Sequence, residues 1–108
     1  MIVLCLNCLG LGETQAVKDL RALLWRFSPR LVFLSKTKRS KDEMETVLSR
    51  LGDYYGTFVD ARGRAGGLAL LWDKNLELQI MSYSSHDIDA TVRWHSQDPL
   101  WYFTGIYS

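Results

Sequence analysis

Apolar residues along this 108-residue chain follow two rhythms, and the change between them falls near residue 53. Met1 to Leu6 is a continuous apolar run, which predicts a buried strand. Ala16, Val17, Leu20, Leu23, Leu24 and Phe27 then recur at the spacing of one helix face, with Lys18, Asp19, Arg21 and Arg26 opposite. Pro29 ends that helix, because the residue before a proline is pushed out of the helical region. Arg30 to Ser35 (RLVFLS) predicts a second buried strand. Ser40, followed by Glu43 three positions on, is a capping-box start. Met44, Val47, Leu48 and Leu51 give the second helix its stripe, and Gly52 is placed to cap its end. The first half therefore reads strand–helix–strand–helix.

Beyond residue 53 the period shortens to two. Tyr55 to Val59 predicts a short strand, residues 61–67 (ARGRAGG) a loop, and Leu68 to Trp72 a fully apolar strand before a turn at Asp73-Lys74-Asn75. Leu76, Leu78 and Ile80 alternate with Glu77 and Gln79. Ile88, Ala90, Val92 and Trp94 alternate with Asp89, Thr91 and Arg93, and Leu100 to Tyr107 is rich in aromatic β-formers. Short turns between such strands imply antiparallel pairing. The expectation is a single α/β domain over residues 1–108, with a mixed, mostly antiparallel sheet and two helices.

Composition narrows the function classes. A chain that is 47% hydrophobic and 23% charged has the balance of a globular domain, which argues against disorder. A net charge of +1 supplies no global basic field, so nucleic-acid binding would have to come from local clusters. Two exist: Lys36, Lys38, Arg39 and Lys41, and then Arg62 with Arg64. A solvated face is the more frequent meaning of such runs, and so few charges would give only weak, salt-sensitive binding. The first apolar run has no basic segment before it and is interrupted by Asn7, unlike a secretory signal. No run approaches the ~20 residues that span a bilayer. The expectation is an intracellular chain, without a membrane partner and with reduced thiols.

The segment VLCLNCLGLG, residues 3–12, suggests several chemistries at once. Structural zinc needs four ligands, whereas the chain offers one cysteine pair, Cys5 and Cys8, and two distant histidines, His86 and His95. A redox pair belongs at a helix N-terminus, and Cys5 falls inside a strand. Both cysteines read more simply as small buried hydrophobes. A dinucleotide loop needs a third glycine, and Glu13-Thr14-Gln15 follows Gly12 instead. Ser84, Ser85, His86 and Asp87 are the residue types of a hydrolase triad, but adjacent residues point apart and cannot form its relay.

Taken together, Leu6-Asn7-Cys8-Leu9-Gly10-Leu11-Gly12, Val32-Phe33-Leu34-Ser35-Lys36-Thr37-Lys38, and Gly66-Gly67-Leu68-Ala69-Leu70-Leu71-Trp72 resemble a known family. They are similar to the endonuclease/exonuclease/phosphatase superfamily, in the branch found in plant non-LTR retrotransposons of the LINE type. Thr104-Gly105-Ile106-Tyr107 fits the same pattern, so the resemblance runs from end to end of the chain. It implies the amino-terminal half of a four-layer α/β/β/α sandwich of the DNase I-like kind. The activity it implies is magnesium-dependent phosphodiester hydrolysis, with DNA as substrate. A metal in that setting polarises the phosphoryl oxygen and activates water.

Carried over position by position, the resemblance is mixed. Asn7 stands where the family has an asparagine that orients the phosphate and metal network, and Tyr107 where it has a phosphate-contacting tyrosine. Asn7 could also cap the loop after the first strand, and Tyr107 could be only a packing aromatic. Lys36 stands where the family has its metal-ligand glutamate, and an ammonium has no lone pair to give. Glu43 is a poor substitute, because its capping role places it on the next helix. Leu6 and Leu9 replace a family tryptophan and arginine, His86 is displaced by one position from the family's His-Ile-Asp, and the downstream Gly-Asp-x-Asn and Asp-His motifs are not among these residues.

The resemblance therefore implies a degenerate, inactive, truncated endonuclease fragment with no magnesium of its own. Two alternatives accompany it: a weak phosphate- or nucleic-acid-binding module using Lys38, Arg39, Lys41, Arg62 and Arg64, and a nuclease half completed by a partner chain. It also implies that the chain supplies about one of the two sheets. Leu68, Leu70, Ile80, Val92 and Ile106 would then form an open apolar face prone to self-association.

Overall fold

The computed structural model describes residues 1–62 and 65–107. Its elements run β1 (Val3–Asn7), α1 (Thr14–Phe27), β2 (Leu31–Ser35), α2 (Lys41–Leu48), β3 (Tyr54–Arg62), β4 (Ala65–Asp73), β5 (Glu77–Tyr83), β6 (Asp87–Arg93) and β7 (Trp101–Ile106). They form two sheets, a four-stranded one ordered β1-β2-β4-β3 and a three-stranded one ordered β5-β6-β7. The first sheet is mixed: β1 and β2 run parallel, and the other pairings are antiparallel. The parallel pair follows from the crossover through α1, which a hairpin could not provide.

Alternation along the strands of the first sheet divides its side chains between two cores. Val32, Leu34, Ala69, Leu71 and Phe58 face the helices, where they meet Val17, Leu20 and Leu24 of α1 and Met44 and Val47 of α2. Leu31, Phe33, Leu68 and Leu70 face the other way and meet Ile88, Ala90 and Val92 of β6. β2 and the centre of β4 are thus buried on both faces, which is why they read as unbroken apolar runs. The layers are helix, sheet, sheet, and the α/β fold class with two helices is as the sequence implied.

Several local expectations are corrected. The chain supplies two sheets, not one: Leu68, Leu70 and Val92 are buried against its own second sheet, Ile80 packs beside them, and of the five residues Ile106 alone is exposed. β1 is an edge strand, so Val3 and Cys5 are exposed while Leu4 and Leu6 pack on the helix side. An apolar run cannot tell a central strand from an edge strand whose second face the next layer fails to cover. The glycine-rich stretch is not a loop throughout, because strand pairing continues to Ala61↔Gly66 and Arg62↔Ala65. The Ser40–Glu43 capping box is present in both directions, but α2 ends at Leu48 with Ser49 as its cap. Gly52, at φ 102°, reverses the chain one further turn along.

Candidate functional site

The carboxyl ends of β1 and β2 lie side by side, with Asn7 opposite Ser35 in the parallel register. Alternation places Asn7 on the same face as Phe33, the face turned toward the second sheet, and leaves it exposed. Past these ends the pairing continues without regular strand geometry. The backbone N–H groups of Cys8, Gly10 and Leu11 donate to the carbonyls of Ser35, Lys36 and Thr37 at 2.8–2.9 Å. From the other side, Thr37 and Lys38 N–H groups donate to the carbonyls of Gly67 and Gly66 at 3.2 and 2.9 Å. The Lys36–Lys38 segment is therefore clamped between the loop after β1 and the start of β4.

The clamp holds an unusual backbone. Lys36 and Lys38 adopt φ of 53° and 57°, the left-handed region that side chains disfavour by about 1–2 kcal/mol each. Thr37 between them is fully buried, and its Oγ1 has no hydrogen-bond partner. Gly67, at φ 86°, is required here, because a Cβ would collide with that Oγ1 and approach Lys38 N at 3.1 Å.

β7 brings the third candidate to the same rim. Tyr107 follows its last residue, and the Tyr107 N–H donates to the His86 carbonyl at 2.7 Å. The Lys36 Nζ lies 5.7 Å from the centre of the Tyr107 ring, within reach of its negative π face. The structure thus gathers Asn7, Lys36 and Tyr107 at one end of the sandwich. It adds His86, whose place beside Tyr107 becomes visible only once β6 and β7 are paired. Ser84, Ser85 and His86 form the turn between β5 and β6, and Asp87 opens β6: Asp87 accepts from Ser84, and Ser85 Oγ contacts His86 Nδ1 at 2.9 Å. The Asp87 carboxylate is thereby engaged with serine, and no serine–histidine–aspartate relay is formed.

The remaining basic candidates are only partly available. Arg39 pairs with Glu43 at 2.8 Å, and its guanidinium lies against Gly12. Arg39, together with the Ser40 capping contacts, pulls the Glu43 carboxyl down to about 2. Lys41 donates its backbone N–H to Asp60 at 2.6 Å and places its Nζ 6.0 Å from the Tyr83 ring. Lys38 is exposed. The backbone of Arg62 ends β3, and Arg64 lies outside the described residues.

The cysteine readings are corrected in one half. Cys8 is partly buried, and desolvation pushes its thiol up to about 11, the opposite of an activated nucleophile. Cys5 is exposed on the edge strand and is not the buried hydrophobe that the sequence suggested.

Magnesium, which the resemblance implies, requires oxygen ligands, carboxylates above all. At this rim the strand ends present an amide, a phenol and an ammonium, none of which is a carboxylate. Among the described residues no three His, Cys, Asp or Glu side chains are grouped to hold an ion. The donor set does not fit the metal.

A two-sheet sandwich with one helical layer and strand ends converging on such a rim defines a DNase I-like α/β fold. Solved structures agree. The chain superposes on an AP endonuclease from Leishmania major, LMAP, with a TM-score of 0.71 and 15% identity, over 97% of this chain and 38% of that one. It superposes on the endonuclease domain of TRAS1, a telomere-specific non-LTR retrotransposon, with a TM-score of 0.66 and 10% identity, over 98% and 43%. A humanized D. rerio TDP2 gives a TM-score of 0.61 and 17% identity, over 98% and 47%. The chain thus spans less than half the length of each of these proteins. No protein-family profile and no curated protein matches its sequence. Among the described residues no helix is long and apolar enough to cross a membrane.

Proposed function

We propose that this chain is the amino-terminal part of an endonuclease-type domain of retroelement origin, and that it no longer performs metal-dependent phosphodiester cleavage. The observation that carries this reading is Lys36. It follows Ser35, the last residue of β2 and the partner of Asn7, its ammonium lies 5.7 Å from the centre of the Tyr107 ring, and it stands where the resemblance puts a metal-ligand glutamate. Like-charge repulsion opposes any cation approaching that rim. Thr37 and Lys38 still match the motif after position 36, which supports reading Lys36 as a Glu→Lys replacement, one departure beside those at Leu6 and Leu9. The likeness to the TRAS1 endonuclease domain supports the retroelement source.

Lys36→Glu tests the reading. Calorimetric titration with magnesium should give no saturable heat for the wild type and a saturable heat for the variant. Saturable magnesium binding by the wild type would overturn the loss of the metal. A silent Lys36→Glu variant that still unfolds cooperatively would overturn descent by that single replacement.

A further inference from the structure

A strand at the edge of a sheet carries a row of N–H and C=O groups without ladder partners, and folded proteins guard such rows with charges, proline, bulges or a covering segment. The edge strands here are β1, β3, β5 and β7, and they are guarded unequally. The segment leading into α2 covers β3: the Ala61 N–H donates to the Arg39 carbonyl at 3.1 Å, and Asp60 accepts from the Lys41 N–H at 2.6 Å. β5 carries Glu77 and a shift of register between Ile80 and Ser82. β1 has no such guard. No side chain from Met1 to Gly12 is charged, and none is proline. β1 pairs with β2 in unbroken register, and among the described residues β2 is its one strand partner. Along its length Met1, Ile2, Val3 and Cys5 are exposed.

An uncharged edge suits a second copy of itself, because the same segment can then face itself without like-charge repulsion. Its length suits one too. Residues opposite one another in an antiparallel pair share a face, and β1 has five residues, so a two-fold register that pairs all five sets the central residue opposite itself. That residue is Cys5. Val3 then lies opposite Asn7 of the second copy, exposed against exposed, and Leu4 opposite Leu6, helix side against helix side. We propose that β1 is a self-pairing edge: two copies of this chain join antiparallel about a two-fold axis at Cys5 and fuse their four-stranded sheets into one. The pairing is independent of what the rim at Lys36 holds. One short strand is a small interface beside the about 800 Å² per partner of a standard complex, so association is reversible and rises with concentration. Cα atoms opposite one another in such a pair lie about 4.5–5.5 Å apart, inside the range a disulfide spans, which makes Cys5 a reporter of the register. β7 is uncharged as well, but a contact made there would leave the two Cys5 residues apart.

Sedimentation equilibrium of the whole chain in reductant should show monomer and dimer exchanging with concentration, and Cys5→Ser should leave that equilibrium in place. Cys5→Lys sets two ammonium groups opposite one another at the axis and should weaken the dimer roughly fivefold, as should Cys5→Glu with two carboxylates. An equimolar mixture of Cys5→Lys and Cys5→Glu should associate more tightly than either alone, because unlike charges then face each other. Each variant should keep the wild-type urea transition, so that lost pairing is not lost folding. Diamide takes up the two protons and two electrons that a pair of thiols releases on forming a disulfide. It should convert the wild-type dimer to a covalent one whose peptide map joins Cys5 to Cys5. A monomer at every concentration, or association that Cys5→Lys leaves unchanged, would overturn the proposal. A dimer that forms no disulfide, or one through Cys8, would place the contact elsewhere and overturn it as well. Open-ended aggregates would overturn the closed two-fold pair. Should a charged variant fail to fold, the disulfide map of the wild type decides alone.

Discussion

Gly105→Ala tests whether the chain closes its own inter-sheet core. Gly105 is buried on β7, paired with Ile88 and lying over the ring of Phe33 on β2. A Cβ added there would lie 2.5 and 2.7 Å from Phe33 Cε1 and Cγ, with Cδ1 closer still. Phe33 has little room to yield: it is 4% exposed, and the ring of Phe103, two residues before Gly105 on β7, sits 6.2 Å from it. Overpacking of this kind costs about 1–3 kcal/mol. Alanine in a strand recovers roughly 0.5–1 kcal/mol of backbone entropy over glycine. The net expectation is a loss of on the order of 1 kcal/mol and at most about 2.5 kcal/mol, read as a lower midpoint in urea by tryptophan fluorescence and circular dichroism, with an unchanged slope. Phe33→Leu should relieve the clash, so the double variant should be more stable than the sum of the singles by on the order of 1 kcal/mol. If β7 did not lie on β2, alanine would be neutral or stabilising and the two changes would add. That result would refute the packing of the second sheet on the first.

Two further outcomes follow from local chemistry. The Glu43 carboxyl, lowered to about 2 by Arg39 and the cap, contributes stability that is fully present above the ordinary carboxylate range and is lost as pH falls toward 2. Glu43→Gln should therefore flatten the pH dependence of the urea midpoint between about pH 4.5 and pH 2. Exposed Cys5 should react with a thiol reagent at pH 8 in the native state, whereas Cys8, pushed up to about 11, should react only after unfolding. Two thiols titrating at the same native rate would contradict the placement of β1.

Much of the fold was legible because local signals and tertiary structure agree. The stripe Val17, Leu20, Leu24 faces the sheet, and Ser40 with Glu43 caps α2 in both directions. The alternation from Ile88 to Val92 is the inward face of β6. Partnership between strands was less legible, since period-two alternation states that a face is buried and not what buries it. For that reason Leu68, Leu70 and Val92 read as an open surface when they close on one another. β1 was misjudged because an apolar run reads alike at the centre and at the edge of a sheet. Asn7, Lys36 and Tyr107 were legible only through resemblance. Their convergence depends on the parallel register of β1 with β2 and on the packing of β7, neither of which has a local signature. The left-handed Lys36 and Lys38 carry no sequence signal either, because glycine and asparagine are the residues that usually mark that region.

The most direct test of the central claim is nicking of supercoiled plasmid by the purified chain in magnesium, with Asn7→Ala and an EDTA control alongside. No conversion to open circles above buffer is expected in any arm, because on the proposed reading Lys36 replaces the carboxylate that would hold the metal. Nicking that requires magnesium and disappears with Asn7→Ala would contradict it, and would make this rim a working catalytic site.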